Sequence, residues 1–129
     1  MAAVTLAPGL TATATLEVGA VDLAPAHASG DVPVLATPRL VALCETATVA
    51  AVAPHLAPGE TTVGIRVEID HLAAAGPGAR VEAAAVLREV AGRRLTFDVE
   101  ARHDGRTVAR GVVVRVVVDR AAFLARAGA

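Results

Sequence analysis

The sequence predicts an α+β fold: an antiparallel β-sheet wrapped around one long, buried α-helix. Three observations predict it. Apolar and polar residues alternate at the start of the chain and through its entire second half, the period of half-buried strands. Between these regions, Leu40 to Gly59 carries a single carboxylate, Glu45. A helix that is apolar on all sides is expected to be buried on all sides. The length, 129 residues, suits one domain with one core across 1–129.

Taken in order, Leu10, Ala12, Ala14, Leu16 and Val18 alternate with Thr11, Thr13, Thr15 and Glu17, predicting a first strand over Leu10 to Val18. Gly19 to Leu35 has two prolines and little periodicity, which predicts a long loop of the kind that often serves as a lid. Thr37-Pro38 then opens a helix, with Thr37 expected as N-cap and Pro38 in the first position, where its missing N–H costs nothing. Pro54 and Pro58-Gly59 close it near Ala53. Thr61 to Ala73 alternates as a strand, with Val63, Ile65, Val67, Ile69 and His71 expected on one face. Ala79 to Val90 and Leu95 to His103 follow, joined by a turn at Ala91-Gly92. Asp104-Gly105 predicts a tight hairpin into Thr107 to Val118, a strand interrupted by Arg110, Gly111 and Arg115. A short helix is predicted over Arg120 to Arg126. A single sheet face cannot cover a helix that is apolar all round. A curved sheet covers most of it, and a second subunit's helix can cover the rest. This is the hot-dog arrangement, with a three-layer sandwich as the competing architecture.

Composition narrows the function classes. Apolar residues make up 54%, mostly Ala and Val, with Phe97 and Phe123 the two aromatics. Such small side chains fill a thin core, so association is expected: a homodimer with Leu40 to Ala53 near its two-fold axis. The formal net charge of −1 leaves no basic footprint for nucleic acid. All twelve cations are Arg, which a GC-rich genome explains as readily as phosphate binding does. One cysteine, Cys44, precludes an intrachain disulfide and a multi-cysteine metal site. No apolar run reaches the roughly 18 residues of a membrane helix. Met1 to Leu10 lacks the basic and long apolar regions of a signal peptide. A soluble cytoplasmic protein, bound to neither membrane nor nucleic acid, is the expectation.

Few residues can carry chemistry. Glu45 is the sharpest, because an ionised carboxylate among apolar neighbours costs several kcal/mol unless paired. Its ordinary explanation is solvent access or an arginine partner across the dimer; its functional one is a base, or a group that orients a histidine. His71 ends an apolar strand face, where a satisfied core or rim histidine is the ordinary explanation. Thr37 needs no purpose beyond capping. Together the three are more interesting, because a helix N-terminus also offers N–H donors to an oxyanion. Cys44 reads as a small buried hydrophobe. His27, His55 and His103 are scattered and form no metal pattern. Arg93-Arg94 lies just after a turn, as a solvated pair or as a contact for nucleotide phosphate. No phosphate-binding glycine loop, zinc spacing or nucleophile elbow is present.

Several segments resemble the fluoroacetyl-CoA thioesterase family of hot-dog enzymes. They are Thr37 to Glu45, Pro54 to Glu60, Val63-Gly64, Asp70-His71 and Gly92 to Phe97, and the resemblance spans roughly Val34 to Val118. Its spacing is a Thr, a Glu eight residues on, and a His twenty-six beyond that. The resemblance implies an acyl-CoA thioesterase without cofactor or metal. It implies Thr37, Glu45 and His71 as the catalytic set at a dimer interface, and Gly64 against the acyl group. The fluoroacetyl-specific enzyme of that family carries Phe side chains as a lid in the loop before the Thr. Gly19 to Leu35 contains no Phe, Tyr or Trp, so no strong preference for fluoroacetyl is expected.

A thioester carbonyl is already electrophilic, so an enzyme needs a positioned nucleophile, a stabilised oxyanion and help for the departing thiolate. Glu45 and His71 can activate a water; equally, Thr37 or Glu45 can attack first. Two rivals stand beside this reading. A non-catalytic acyl-CoA-binding module needs the tunnel but not the reacting groups. An enoyl-CoA hydratase would use an Asp–His pair, and Asp70 and His71 are adjacent, but neighbours on a strand point to opposite faces.

Overall fold

The structure is a computed structural model that describes residues 6–128. Strand β1 is Thr11–Glu17, helix α1 Thr37–Val52, β2 Glu60–His71, β3 Arg80–Ala91, β4 Arg94–His103, β5 Arg106–Asp119 and helix α2 Arg120–Ala127. The five strands form one antiparallel sheet in the order β1-β3-β4-β5-β2, which curls around α1 in the hot-dog arrangement.

The core follows from side-chain size. Leu40, Leu43, Cys44, Ala47, Ala51 and Val52 of α1 face Val81, Ala83, Ala85 and Leu87 of β3 and Leu95, Phe97 and Val99 of β4, all buried. The alanines let the helix lie close to the strands, and Phe97 is the largest fully buried side chain. The predicted strand pattern of β1 holds: its threonines are exposed, and Ala12, Ala14 and Leu16 pack against the core. At the hairpin, Asp104 and Gly105 both take positive φ (50° and 71°), as a two-residue turn matched to the sheet twist requires.

Within one chain the sheet curls only part of the way round the helix, leaving Pro38, Ala42, Thr46, Val49 and Ala50 exposed on the remaining face. Three expectations are corrected. Thr37 is not the N-cap. Ala36 holds that position, its carbonyl accepting from the Leu40 N–H at 3.0 Å, while Thr37 is the first helical residue and its hydroxyl is engaged elsewhere. The loop Gly19 to Leu35 is more ordered than its composition implied. It contains two short 3₁₀ turns and a bridge between Leu23 and Leu35. Buried Asp22 ties it down, accepting from the Gly19 N–H at 2.8 Å and from Arg39 Nε at 2.9 Å.

The last correction concerns β2, whose register against β5 slips between Gly64 and Arg66. A bulge adds one residue and reverses the alternation beyond it. Val63 therefore falls out of phase with Val67, Ile69 and His71, and Ile65 is 49% exposed. Gly64 takes the helix-facing place instead. Strict alternation would set Gly64 and His71, seven residues apart, on opposite faces; the bulge puts both toward α1.

Candidate active site

Two clusters form where α1 faces β2. At the helix N-terminus, Thr37 Oγ1 and His71 Nδ1 share a hydrogen bond of 2.8 Å. When the hydroxyl donates it, the imidazole is neutral and its proton sits on Nε2. That Nε2 is buried and has no hydrogen-bond partner among the described residues. A buried polar atom without a partner is rare in folded proteins and calls for one, whether an ordered water or a bound group.

Two turns further along α1 lies Glu45, half-buried. Its Oε2 is 3.4 Å from Nη1 of Arg115 on β5. Arg115 is only 7% exposed. It also donates from Nε to Thr62 Oγ1 at 2.9 Å and from Nη2 to the Thr62 carbonyl at 3.2 Å. Burial pulls the Arg115 pKa below its ordinary value, and the Glu45 charge opposes that shift. Gly64 stands opposite Arg115 in the β2–β5 register, and a Cβ there would lie 2.9 Å from Glu45 Oε2. The missing side chain is what leaves room for the carboxylate.

The structure thus pairs Thr37 with His71, and Glu45 with Gly64 and Arg115. It does not join the two clusters within one chain. Eight helical residues separate Thr37 from Glu45, a rise of about 12 Å. The His71 ring faces the helix layer, as its strand position implied, but meets Thr37 there.

Arg115 was the residue sequence reasoning did not single out. Its signal was present: one cation within Val112 to Val118, otherwise all valine, while Glu45 is the one carboxylate in the apolar helix. Two isolated opposite charges in apolar segments are candidates for each other.

The remaining groups sort plainly. Burial, then the neighbouring Glu45 charge, push the Cys44 thiol up to about 11, so it is inert. His27 bonds the Val21 carbonyl and His103 the Arg80 carbonyl. Asp70 is exposed and stands opposite Arg110 in the register, turned away from the ring of His71. Arg93 and Arg94 open onto different surfaces. Arg93 donates to the Val117 carbonyl at 3.2 Å beside a cavity of about 190 Å³. Arg94 borders a groove with Arg66 and Arg88. A wider groove of about 490 Å³ runs past Val49, Leu56, Thr61 and Thr62 to Arg120, adjoining the Glu45 cluster through Thr62. Among the described residues no group of three or more His, Cys, Asp or Glu side chains is placed to hold a metal ion, and no helix is long and apolar enough to cross a membrane.

Comparison with known proteins fits this geometry. The model of the fluoroacetyl-CoA-specific thioesterase family matches residues 18–121. The chain is 43% identical over 94 residues to the fluoroacetyl-CoA thioesterase of Streptantibioticus cattleyicolor, covering 72% of this chain and 67% of that one. Among solved structures, it superposes on a variant of the fluoroacetyl-CoA thioesterase FlK in complex with acetyl-CoA with a TM-score of 0.88. The identity there is 30%, over 95% of this chain and 96% of that one. A thioesterase superfamily member from Thermus thermophilus matches at TM-score 0.86 and 28% identity, over 98% of this chain and 92% of that one. By the extent of the family match and by its identity to a curated member, this chain belongs to the fluoroacetyl-CoA-specific thioesterase family.

Proposed function

We propose that the chain hydrolyses the thioester of small acyl-CoAs as a cytoplasmic homodimer, a single domain whose reacting groups are Thr37, Glu45 and His71. The family makes it a thioester hydrolase; the acyl group, the assembly and the residue roles are our reading. The observation that carries it is the Thr37–His71 hydrogen bond, which leaves His71 Nε2 buried and unpartnered. A ring held through Nδ1 by a threonine hydroxyl presents Nε2–H as a hydrogen-bond donor to a thioester's developing negative charge. Glu45 takes a proton from water as its oxygen bonds to the carbonyl carbon. The C–S bond then breaks, the departing thiolate accepts a hydrogen bond from Nε2–H, and Glu45 passes the proton it took from water to that sulfur, so that the ring stays neutral and free acid and thiol are released.

Glu45 and His71 must meet at one carbonyl, and a dimer supplies the meeting. Among the described residues strand β2 has a neighbour on one side only, so its twelve residues present an unpaired edge. Beside it, Val49 (42%), Ile65 (49%) and Val67 (41%) are exposed. Antiparallel pairing of two β2 strands about a two-fold near Arg66 or Val67 sets the partner subunit's His71 against residues 61 to 63, next to Gly64 and Glu45. The same contact covers the open face of α1. Gly64 then borders the acyl group. The groove beside Thr62 has room for a pantetheine arm, with Arg93 and Arg94 as candidates for the nucleotide phosphates.

The test is a hydrolysis screen over acyl-CoAs of increasing chain length with free-thiol detection, on the wild type and Glu45→Gln, alongside sedimentation. We expect turnover of short acyl-CoAs, a dimer at micromolar concentration and an inactive, folded Glu45→Gln. Wild-type turnover by Glu45→Gln would make Glu45 structural. Binding of acyl-CoA without release of thiol would favour the binding-module reading, and a monomer would remove the shared site.

A further inference from the structure

We propose that Arg115 is the positioning residue of Glu45, clamping one carboxylate oxygen and leaving the other to react. The inference rests on Glu45 being the reacting carboxylate. Three observations carry it.

Arg115 is buried in an all-valine stretch of β5, at 7% exposure, where a charge is costly unless it has partners. Its fork is anchored before it reaches Glu45: Nε holds the Thr62 hydroxyl and Nη2 the Thr62 carbonyl, both on the neighbouring strand. The guanidinium plane is therefore fixed, and only Nη1 is directed at Glu45. Finally, the contact is one-sided. Nη1 approaches Oε2 at 3.4 Å, while Oε1 makes no hydrogen bond among the described residues. Arginine–carboxylate pairs frequently engage both oxygens in a fork-to-fork pair, and this one does not.

Gly64 completes the device. It faces Arg115 across the two strands, and a Cβ on it would lie 3.4 Å from Nη1 and 2.9 Å from Oε2. The guanidinium and the carboxylate meet over that missing side chain. A purely structural latch between β2 and β5 has little to add, because the two strands are already paired from Glu60↔Asp119 to His71↔Ala109.

The experiment measures kcat, KM and thermal unfolding of the intact protein for Arg115→Met, Arg115→Lys, Thr62→Val and Glu45→Gln, on the best substrate of the screen above. Arg115→Met keeps an unbranched stem that reaches about as far as Nε and removes the fork. It is expected to lower kcat about 10- to 100-fold with KM within about threefold, since misplacing a reacting group by a fraction of an ångström to 1 Å has that effect. Arg115→Lys restores the charge and should recover part of kcat. Thr62→Val removes the Nε anchor but keeps the guanidinium and its bond to the residue 62 carbonyl, and should lower kcat by less than Arg115→Met. A folded Arg115→Met with wild-type kcat, or with its loss confined to KM, overturns the proposal. If Arg115→Met does not fold, wild-type kcat in both other variants overturns it. An active Glu45→Gln would instead sink the reading of Glu45 itself, whatever the Arg115 variants do.

Discussion

Replacing Gly64 by alanine separates the chemistry of this site from its stability. The Gly64 backbone has no positive φ, so alanine fits it without strain. The added Cβ would sit 2.9 Å from Glu45 Oε2, so the carboxylate must retreat by about 0.5 Å to reach an ordinary contact of 3.4 Å. Oε2 is the far end of a flexible side chain, and turning it costs on the order of 1 kcal/mol or less. For a domain of this size that is a loss of roughly 4 °C or less in Tm. Catalysis is far more sensitive, since a 1 Å misplacement of a reacting group costs about 100-fold. Half that displacement predicts a fall of about 10-fold in kcat/KM. Thermal unfolding followed by circular dichroism, and steady-state hydrolysis of acetyl-CoA with thiol detection, measure the two quantities on one preparation. Unchanged turnover would mean that Glu45 is not held against Gly64 during the reaction. A Tm loss well beyond 10 °C would mean that the carboxylate cannot move, and the reasoning fails at its first step.

Gly111 should behave in the opposite way. A Cβ there would run into the Glu68 carbonyl oxygen and lie 2.7 Å from Ile69 Cα, both backbone atoms. Gly111→Ala should therefore cost about 4 kcal/mol or more, and a chemical-denaturation midpoint near wild type would refute it. His71→Ala should lower kcat by roughly 10²–10⁴-fold with KM little changed; a raised KM with kcat intact would make His71 a pocket wall. Asp22 is held below the ordinary aspartate pKa of 3.8, first by the Gly19 N–H and, against the cost of burial, by Arg39. A lowered folded pKa means stabilisation that is present above the unfolded value and lost as pH falls through the folded one. Asp22→Asn should thus be less stable than wild type by about 1–3 kcal/mol at pH 7, with the gap closing below about pH 4; an equal gap in urea unfolding at pH 7 and pH 3 would refute this. Fluoroacetyl-CoA should exceed acetyl-CoA by less than about 10-fold in kcat/KM, because a hydrophobic pocket gains little from so small a group without a fitted lid. In Gly19 to Leu35 the large exposed apolar side chains are Val21 (77%) and Val32 (58%), and none is aromatic. A preference of several hundredfold would show that another device does its work.

Much of this molecule was legible in the order of its residues because the signals are local. Period-two alternation marks strands and Asp-Gly marks a tight turn. A long apolar segment between prolines marks a buried helix. Each depends on neighbours a few positions away. The same locality made Glu45 conspicuous, as a lone carboxylate in that helix. The fold class follows from these signals and their order, since few architectures cover such a helix with so few strands.

What the tertiary structure decided depends on residues far apart in the chain. The slip between Gly64 and Arg66 shows only against the β5 register, and it turns Gly64 to the helix beside Glu45. Alternation alone would put it on the face opposite His71. The partner of Glu45 is seventy residues away, and Arg115 reads in sequence as an interruption of a strand until burial and its bonds to Thr62 give it a role. Thr37 shows the same division. Its position before Pro38 reads as a cap, but strand β2 brings His71 within 2.8 Å, and a hydroxyl engaged by an imidazole does not turn back to its own helix. Periodicity determines which elements form and which way each faces, because both are properties of one segment. Register and cross-strand partners are settled only when segments pack, because a one-residue bulge or a contact across seventy residues leaves no trace in local composition.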